Sequence, residues 1–181
     1  MNRPREKFGT ALGASFGVIG YSNGRSSFVA SAATEISSGL PWQCVEYVRR
    51  WYITRRKVTF APVATAADMW AKPPPFRRIE GGTLLATRTI DNEGQQKPEL
   101  GDLLLYQAKP GSENLWAGHV AVVVDVDLAN AQIAVAEQNF ENKPWVEPNS
   151  YARRIALSSE HNRYAVSDPL GAITGWLRTQ A

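Results

Sequence analysis

Pro41-Trp42-Gln43-Cys44-Val45-Glu46-Tyr47-Val48-Arg49-Arg50-Trp51-Tyr52 holds the only cysteine among 181 residues, and its reading decides the front half of the fold. Val45, Val48 and Tyr52, with Trp51 beside them, recur at the spacing of one helical face. Pro41 stops an earlier helix from running through, so a helix is predicted over residues 44–56, with its N-terminus near Gln43. A thiol in that first turn meets unpaired backbone N–H groups and the positive end of the helix dipole, and both favour a thiolate. A lone cysteine is more often a small buried hydrophobe. Here Trp42 and Gln43 before it, and a candidate base downstream, point to a nucleophile instead.

Working outward, residues 1–7 read as a frayed tail, and residues 8–181 as one domain. Five glycines (Gly9, Gly13, Gly17, Gly20 and Gly24) make residues 8–24 a loop with short extended pieces. Residues 26–39 are small and polar, with room for a short helical turn. After the cysteine helix, residues 58–63 read as extended chain and residues 64–70 as a second short helix. Thr65 is placed to cap it, and Asp68 lies in its first turn. The run Lys72-Pro73-Pro74-Pro75 ends it, and residues 88–98 read as a polar surface loop.

The second half is strand-like. Leu103-Leu104-Leu105-Tyr106, His119-Val120-Ala121-Val122-Val123-Val124 and Ile133-Ala134-Val135-Ala136 are short apolar runs between turn signals. Asp127-Leu128-Ala129-Asn130 suits a hairpin connection. Residues 154–157 and 175–178 read as edge strands. Helix first and strands afterwards argue an α+β fold with a largely antiparallel sheet.

Composition narrows the function classes. Hydrophobic residues make up 44% and charged residues 20%, ordinary values for a globular protein. One cysteine cannot form an internal disulfide, which suits a reducing compartment. No apolar run approaches the roughly 18 residues that cross a bilayer, and the start makes a poor export signal. The expected setting is therefore cytoplasmic, without a membrane partner. The net charge of +3 is spread over short basic pairs, and no nucleic-acid motif accompanies it. One cysteine and two histidines without short ligand spacing cannot build a familiar metal cage, so no metal or cofactor is expected.

Of the two histidines, His119 begins the most apolar strand, where it can reach into a cleft, whereas His161 lies in a polar loop. A thiol hydrolase also needs a group to orient the imidazole. Glu137 and Asn139 follow the third strand two residues apart, so on an extended chain they share a face, and either can hold His119. The Gln43 amide and the Cys44 N–H are placed to donate to an oxyanion.

Trp42-Gln43-Cys44-Val45-Glu46, Gly118-His119-Val120-Ala121 and Ala136-Glu137-Gln138-Asn139 resemble the cysteine/histidine-dependent amidohydrolase/peptidase (CHAP) family. More narrowly, residues 8–13, the continuation Tyr47-Val48-Arg49-Arg50 and the late Gly175-Trp176-Leu177 resemble the amidase domain of the bifunctional glutathionylspermidine synthetase/amidases. The resemblance implies a papain-like α+β fold, with the cysteine helix packed on the sheet. It implies Cys44 as nucleophile, His119 as base, Glu137 as orienting acid and Gln43 with the Cys44 N–H as oxyanion hole. Arg49 and Asn139 would lie in or beside the substrate cleft. The implied reaction is hydrolysis of a glutathione–polyamine conjugate to glutathione and spermidine, with no obligate protein partner. The synthetase half has no counterpart here, so no ligase activity is expected. Gly101-Asp102-Leu103-Leu104 looks more like the broad family, whose other members cut peptidoglycan. A wall-peptide hydrolase and a non-catalytic binding domain are therefore the alternatives.

Overall fold

The computed structural model describes residues 4–24 and 38–180. Most of the stretch expected to hold a short helical turn, residues 26–39, lies outside them. Residues 1–3 of the expected tail do too, whereas Arg5 and Glu6 are tied down. The Glu6 N–H donates to the Asn142 carbonyl at 2.8 Å, and Arg5 pairs with Glu113.

The glycine-rich start forms a hairpin of β1 (Ala11–Ser15) and β2 (Val18–Tyr21). Its two-residue turn has both Phe16 (φ 49°) and Gly17 (φ 79°) in the left-handed region, the twist that suits a tight hairpin. Helix α1 (Cys44–Arg56) has the predicted bounds. Gln43 before it is extended, Glu46 lies in the first turn, and Arg55 and Arg56 complement the C-terminal end of the dipole. Its buried face, Tyr47, Val48, Trp51 and Tyr52, contributes about 1.5–3 kcal/mol per side chain. The Tyr52 hydroxyl donates to the Gly101 carbonyl at 2.6 Å and so ties the helix to the approach to the sheet.

A small sheet follows, made of β3 (Val58–Phe60), β4 (Phe76–Arg78) and β5 (Leu84–Leu85). Between its first two strands sits α2 (Ala66–Ala71), which starts two residues after the predicted 64 and is capped by Thr65 as expected. Thr65 accepts from the Asp68 N–H, and Asp68 reaches back to the Thr65 N–H.

The main sheet holds β6 (Thr87–Asp91), β7 (Leu103–Tyr106), β8 (His119–Asp127), β9 (Gln132–Ala136), β10 (Arg153–Glu160), β11 (Arg163–Ser167) and β12 (Ile173–Thr179). Their order is β11-β10-β9-β8-β7-β12-β6, and every neighbouring pair is antiparallel. The β8–β9 connection is the expected hairpin, with the Asn130 N–H held by the Asp127 carboxylate at 3.0 Å.

Two expectations are corrected. Part of the supposed surface loop at 88–98 is strand β6, whose polar outer residues disguise a strand with only Ile90 buried. The segment expected as an edge at 175–178 is interior, because β12 lies between β7 and β6 and buries Trp176 completely. β10 is likewise covered on both sides, by β9 and β11.

The sheet curls until its outermost strands meet. Gly94, just past β6, bridges Tyr164 of β11, and the Asn92 side chain bonds both the N–H and the carbonyl of Val166. Inside the curl lie Leu104, Ala121, Val123, Val135, Ile155 and Trp176. The alternating residues Leu103, Leu105, Val120 and Val122 face the other way, into a second core with α1. With both faces covered, the strands read as unbroken apolar runs. Among the described residues no helix is long and apolar enough to cross a membrane.

Candidate active site

Strand register brings four polar side chains to one mouth of the curled sheet. Tyr106 pairs with His119, and Val135 pairs with Arg153. Side chains two apart on a strand share a face. His119 therefore shares the inward face of Ala121, Glu137 that of Val135, and Arg153 that of Ile155. The chain turns sharply before His119. Gly118 has φ 75°, and a Cβ there would lie 2.9 Å from the Tyr106 carbonyl and 3.0 Å from the Ala67 N–H, so only glycine fits.

His119 is fully buried, and its Nε2 meets Glu137 Oε2 at 2.8 Å. Its ring stacks on Phe140 with centroids 4.5 Å apart. Nδ1 is buried with no protein hydrogen-bond partner, and Cys44 is close enough to stabilise the protonated ring. Cys44 itself is the first residue of α1 and is 9% exposed. It opens on a cavity of about 220 Å³ that Gln43, Arg49, Trp116 and Asn139 also line.

The three residues after β9 each take a different part of this arrangement. Glu137 turns inward to His119. Gln138 donates to the Gln43 carbonyl at 2.9 Å and to Glu46 at 2.6 Å, clamping the first turn of α1. Asn139 does not share the face of Glu137, contrary to the extended reading. It adopts a φ of 56°, and its Nδ2 donates to Gln43 Oε1 at 2.7 Å. Glu137 alone of the two candidates bonds His119. The Arg49 guanidinium donates to the carbonyls of Ser38, Phe60 and Ala61, at 2.5, 3.2 and 3.3 Å, while lining the cavity. His161 sits in the β10–β11 turn and is exposed.

Electrostatics follow from these contacts. Burial alone disfavours a charged His119, but Cys44 and Glu137 outweigh it and raise its pKa from 6.5 to about 9. Burial likewise disfavours a charged Glu137. The opposing pull of Arg153 and then His119 prevails and lowers its pKa from 4.5 to about 2. Such a pair keeps an imidazolium beside a carboxylate across the neutral range. Among the described residues no group of three His, Cys, Asp or Glu side chains is arranged to hold a metal ion.

Sequence reasoning missed Gln138, Arg153, Tyr106 and Asp168. Arg153 was detectable, since Arg153-x-Ile155-x-Leu157 puts a charge on the apolar face of a strand, where it needs a buried partner. Asp168 carried no such signal, because it follows β11 in a turn.

Residues 35–139 match the CHAP domain family. The glutathionylspermidine synthase of Crithidia fasciculata is 29% identical over 147 residues, covering 79% of this chain and 19% of that protein. The bifunctional glutathionylspermidine synthetase/amidase of Escherichia coli is 28% identical over 183 residues, covering 94% of this chain and 29% of that protein. The trypanothione synthetase of Crithidia fasciculata is 26% identical, covering 96% of this chain and 28% of that protein. The chain thus spans less than a third of the length of these relatives.

Proposed function

The chain belongs to the CHAP domain family, a family of amidases and related hydrolases, and from that premise we propose that it is a cysteine amidase cleaving a glutathione–polyamine conjugate. The observation that carries the reading is the 2.8 Å contact between His119 and Glu137, buried beside the only cysteine at the mouth of a cavity.

In this reading the proton shared by Cys44 and His119 rests on the imidazole, and Cys44 Sγ attacks the amide carbonyl. The negative oxygen of the tetrahedral intermediate is met by the Cys44 N–H and the Gln43 amide. Asn139 occupies Gln43 Oε1, which leaves the Nε2 end of that amide to face the cavity. Collapse of the intermediate breaks the C–N bond, and His119 passes its proton to the departing amine. A thioester to Cys44 remains. Water, deprotonated by His119, then attacks it, releasing a carboxylic acid and restoring Cys44 Sγ beside a protonated His119. Glu137 stays ionised throughout and holds the ring by Nε2, leaving Nδ1 for the proton transfers.

The substrate is drawn from the relatives, whose names join glutathionylspermidine to an amidase. The acyl half would be glutathione and the leaving amine spermidine. Arg49 and Asn139 line the cavity where the acyl half would rest. In this reading the reaction needs no cofactor.

Mass spectrometry of the protein with glutathionylspermidine, beside Cys44→Ala and a muropeptide, tests this. Release of glutathione and spermidine by wild type alone supports the whole reading. Cleavage of the muropeptide alone keeps the mechanism and discards the polyamine substrate. No turnover of either, with Cys44 inert to alkylation, leaves a binding domain.

A further inference from the structure

The mouth of the curled sheet holds more charge than a nucleophile, a base and an orienting acid require. Arg153 lies in β10, in register with Val135 and one strand beyond Glu137. Its Nε donates to Glu137 Oε1 at 2.5 Å and one terminal nitrogen to Oε2 at 3.3 Å, a two-pronged grip on the carboxylate that holds His119. The guanidinium is itself held in place. It donates to Asp168 at 2.5 Å and to the Tyr106 hydroxyl at 2.8 Å, and it lies 4.4 Å above the Phe140 ring. Tyr106 closes the ring of contacts by donating to Asp168 at 2.8 Å.

We propose that Arg153 is the positioning residue of this site, fixing the Glu137 carboxylate under His119 and balancing its charge, with Tyr106 and Asp168 holding Arg153 in turn. This rests on the reading of Cys44 and His119 as nucleophile and base.

The argument is one of geometry and charge. Glu137 and Asp168 keep side-chain exposures of 5% and 2%. Two buried carboxylates in one cluster with a single imidazolium would leave an excess negative charge, and Arg153 removes that excess. The other groups around Glu137 do not replace it. Tyr106 from β7 stays neutral, its hydroxyl pKa raised by burial. From α1, Tyr47 lies near Glu137 and burial keeps it neutral too, while Cys44 lies against His119. Behind Glu137 a second cavity of about 290 Å³ is lined by Arg153, Glu141 and Lys143, and there Lys143 pairs with Glu141. Arg153 is therefore the cation that contacts both Glu137 oxygens. Without it, Glu137 takes up a proton at a higher pH, and a neutral carboxyl no longer supports the imidazolium.

The single cysteine makes the test direct, because alkylation by iodoacetamide reports Cys44 alone. The rate is measured from pH 4 to 9 for wild type, Arg153→Met, Arg153→Lys and His119→Ala. The expected result is an acid limb moved up by at least one pH unit in Arg153→Met and unmoved in Arg153→Lys, which keeps the charge. A lysine loses the two-pronged grip, so kcat falls severalfold while the limb stays in place. Should Arg153→Met fail to fold, the pair Arg153→Gln with Asp168→Asn removes both buried charges, and a rise of at least half a unit is expected. An unmoved limb in the folded charge-removal variant overturns the role of Arg153. If His119→Ala matches wild type at every pH, the Cys44–His119 reading fails as well.

Discussion

Asn139 Nδ2 donates to Gln43 Oε1 at 2.7 Å across 96 residues of sequence. That bond settles which end of the Gln43 amide remains for the cavity, and a left-handed backbone at Asn139 makes it reachable. If Gln43 serves the oxyanion, Gln43→Ala should lower kcat by about 10²–10³-fold. Asn139→Ala should lower it about 10-fold through Gln43, and the double variant should be little worse than Gln43→Ala. Steady-state kinetics of the three variants decide this, since multiplicative losses would mean that the two residues act independently.

Cys44→Ala should abolish turnover while leaving the thermal unfolding curve close to that of wild type, because a small side chain at a helix start is replaced by a good helix former. Loss of folding together with loss of turnover would point to a structural thiol.

The His119–Glu137 pair predicts the basic limb of activity. The carboxylate stabilises the imidazolium, so Glu137→Gln should bring the limb down from about 9 toward the ordinary histidine value. A pH–kcat/KM profile with its basic limb unmoved in that variant would separate Glu137 from His119 function.

Stability should follow the same pair with opposite signs. Glu137, lowered from 4.5 to about 2, contributes stability that is complete above 4.5 and lost as the pH falls through about 2. His119, raised from 6.5 to about 9, contributes stability that is complete below 6.5 and lost as the pH rises through about 9. Both contributions are whole between pH 4.5 and 6.5, so the melting temperature should peak there. The decline toward pH 9 should shrink in His119→Asn, and a decline of unchanged size would remove His119 as its cause.

Gly118→Ala puts a Cβ against the Tyr106 carbonyl and the Ala67 N–H at a φ that side chains resist. The expected loss is about 1–3 kcal/mol in a denaturant melt, with lower activity because His119 is the next residue. A neutral substitution would mean that the turn can relax without moving His119.

Legibility in the sequence divided along a physical line. The bounds of α1, the cap at Thr65 and the strands at 103–106, 119–124 and 133–136 were readable because each depends on residues close together in the chain. β6 was missed because one buried side chain among polar neighbours gives no alternation, and its partner β12 lies more than 80 residues away. The extended reading of residues 137–139 failed at one backbone angle, the positive φ of Asn139, which pairing to Gln43 and the turn toward residue 142 impose.

By itself the sequence determined the helix that begins at Cys44, the α+β order, the family and a short list of polar residues, since periodicity, capping and motif spacing are local properties. Tertiary structure alone decided which of those residues meet. It turned Glu137 rather than Asn139 to His119, gave Asn139 to Gln43, and set Arg153, Tyr106 and Asp168 behind Glu137. The physical reason is register. Antiparallel pairing and the curl of the sheet bring side chains from four strands to one mouth, and no contact between distant strands is written in the local pattern of either.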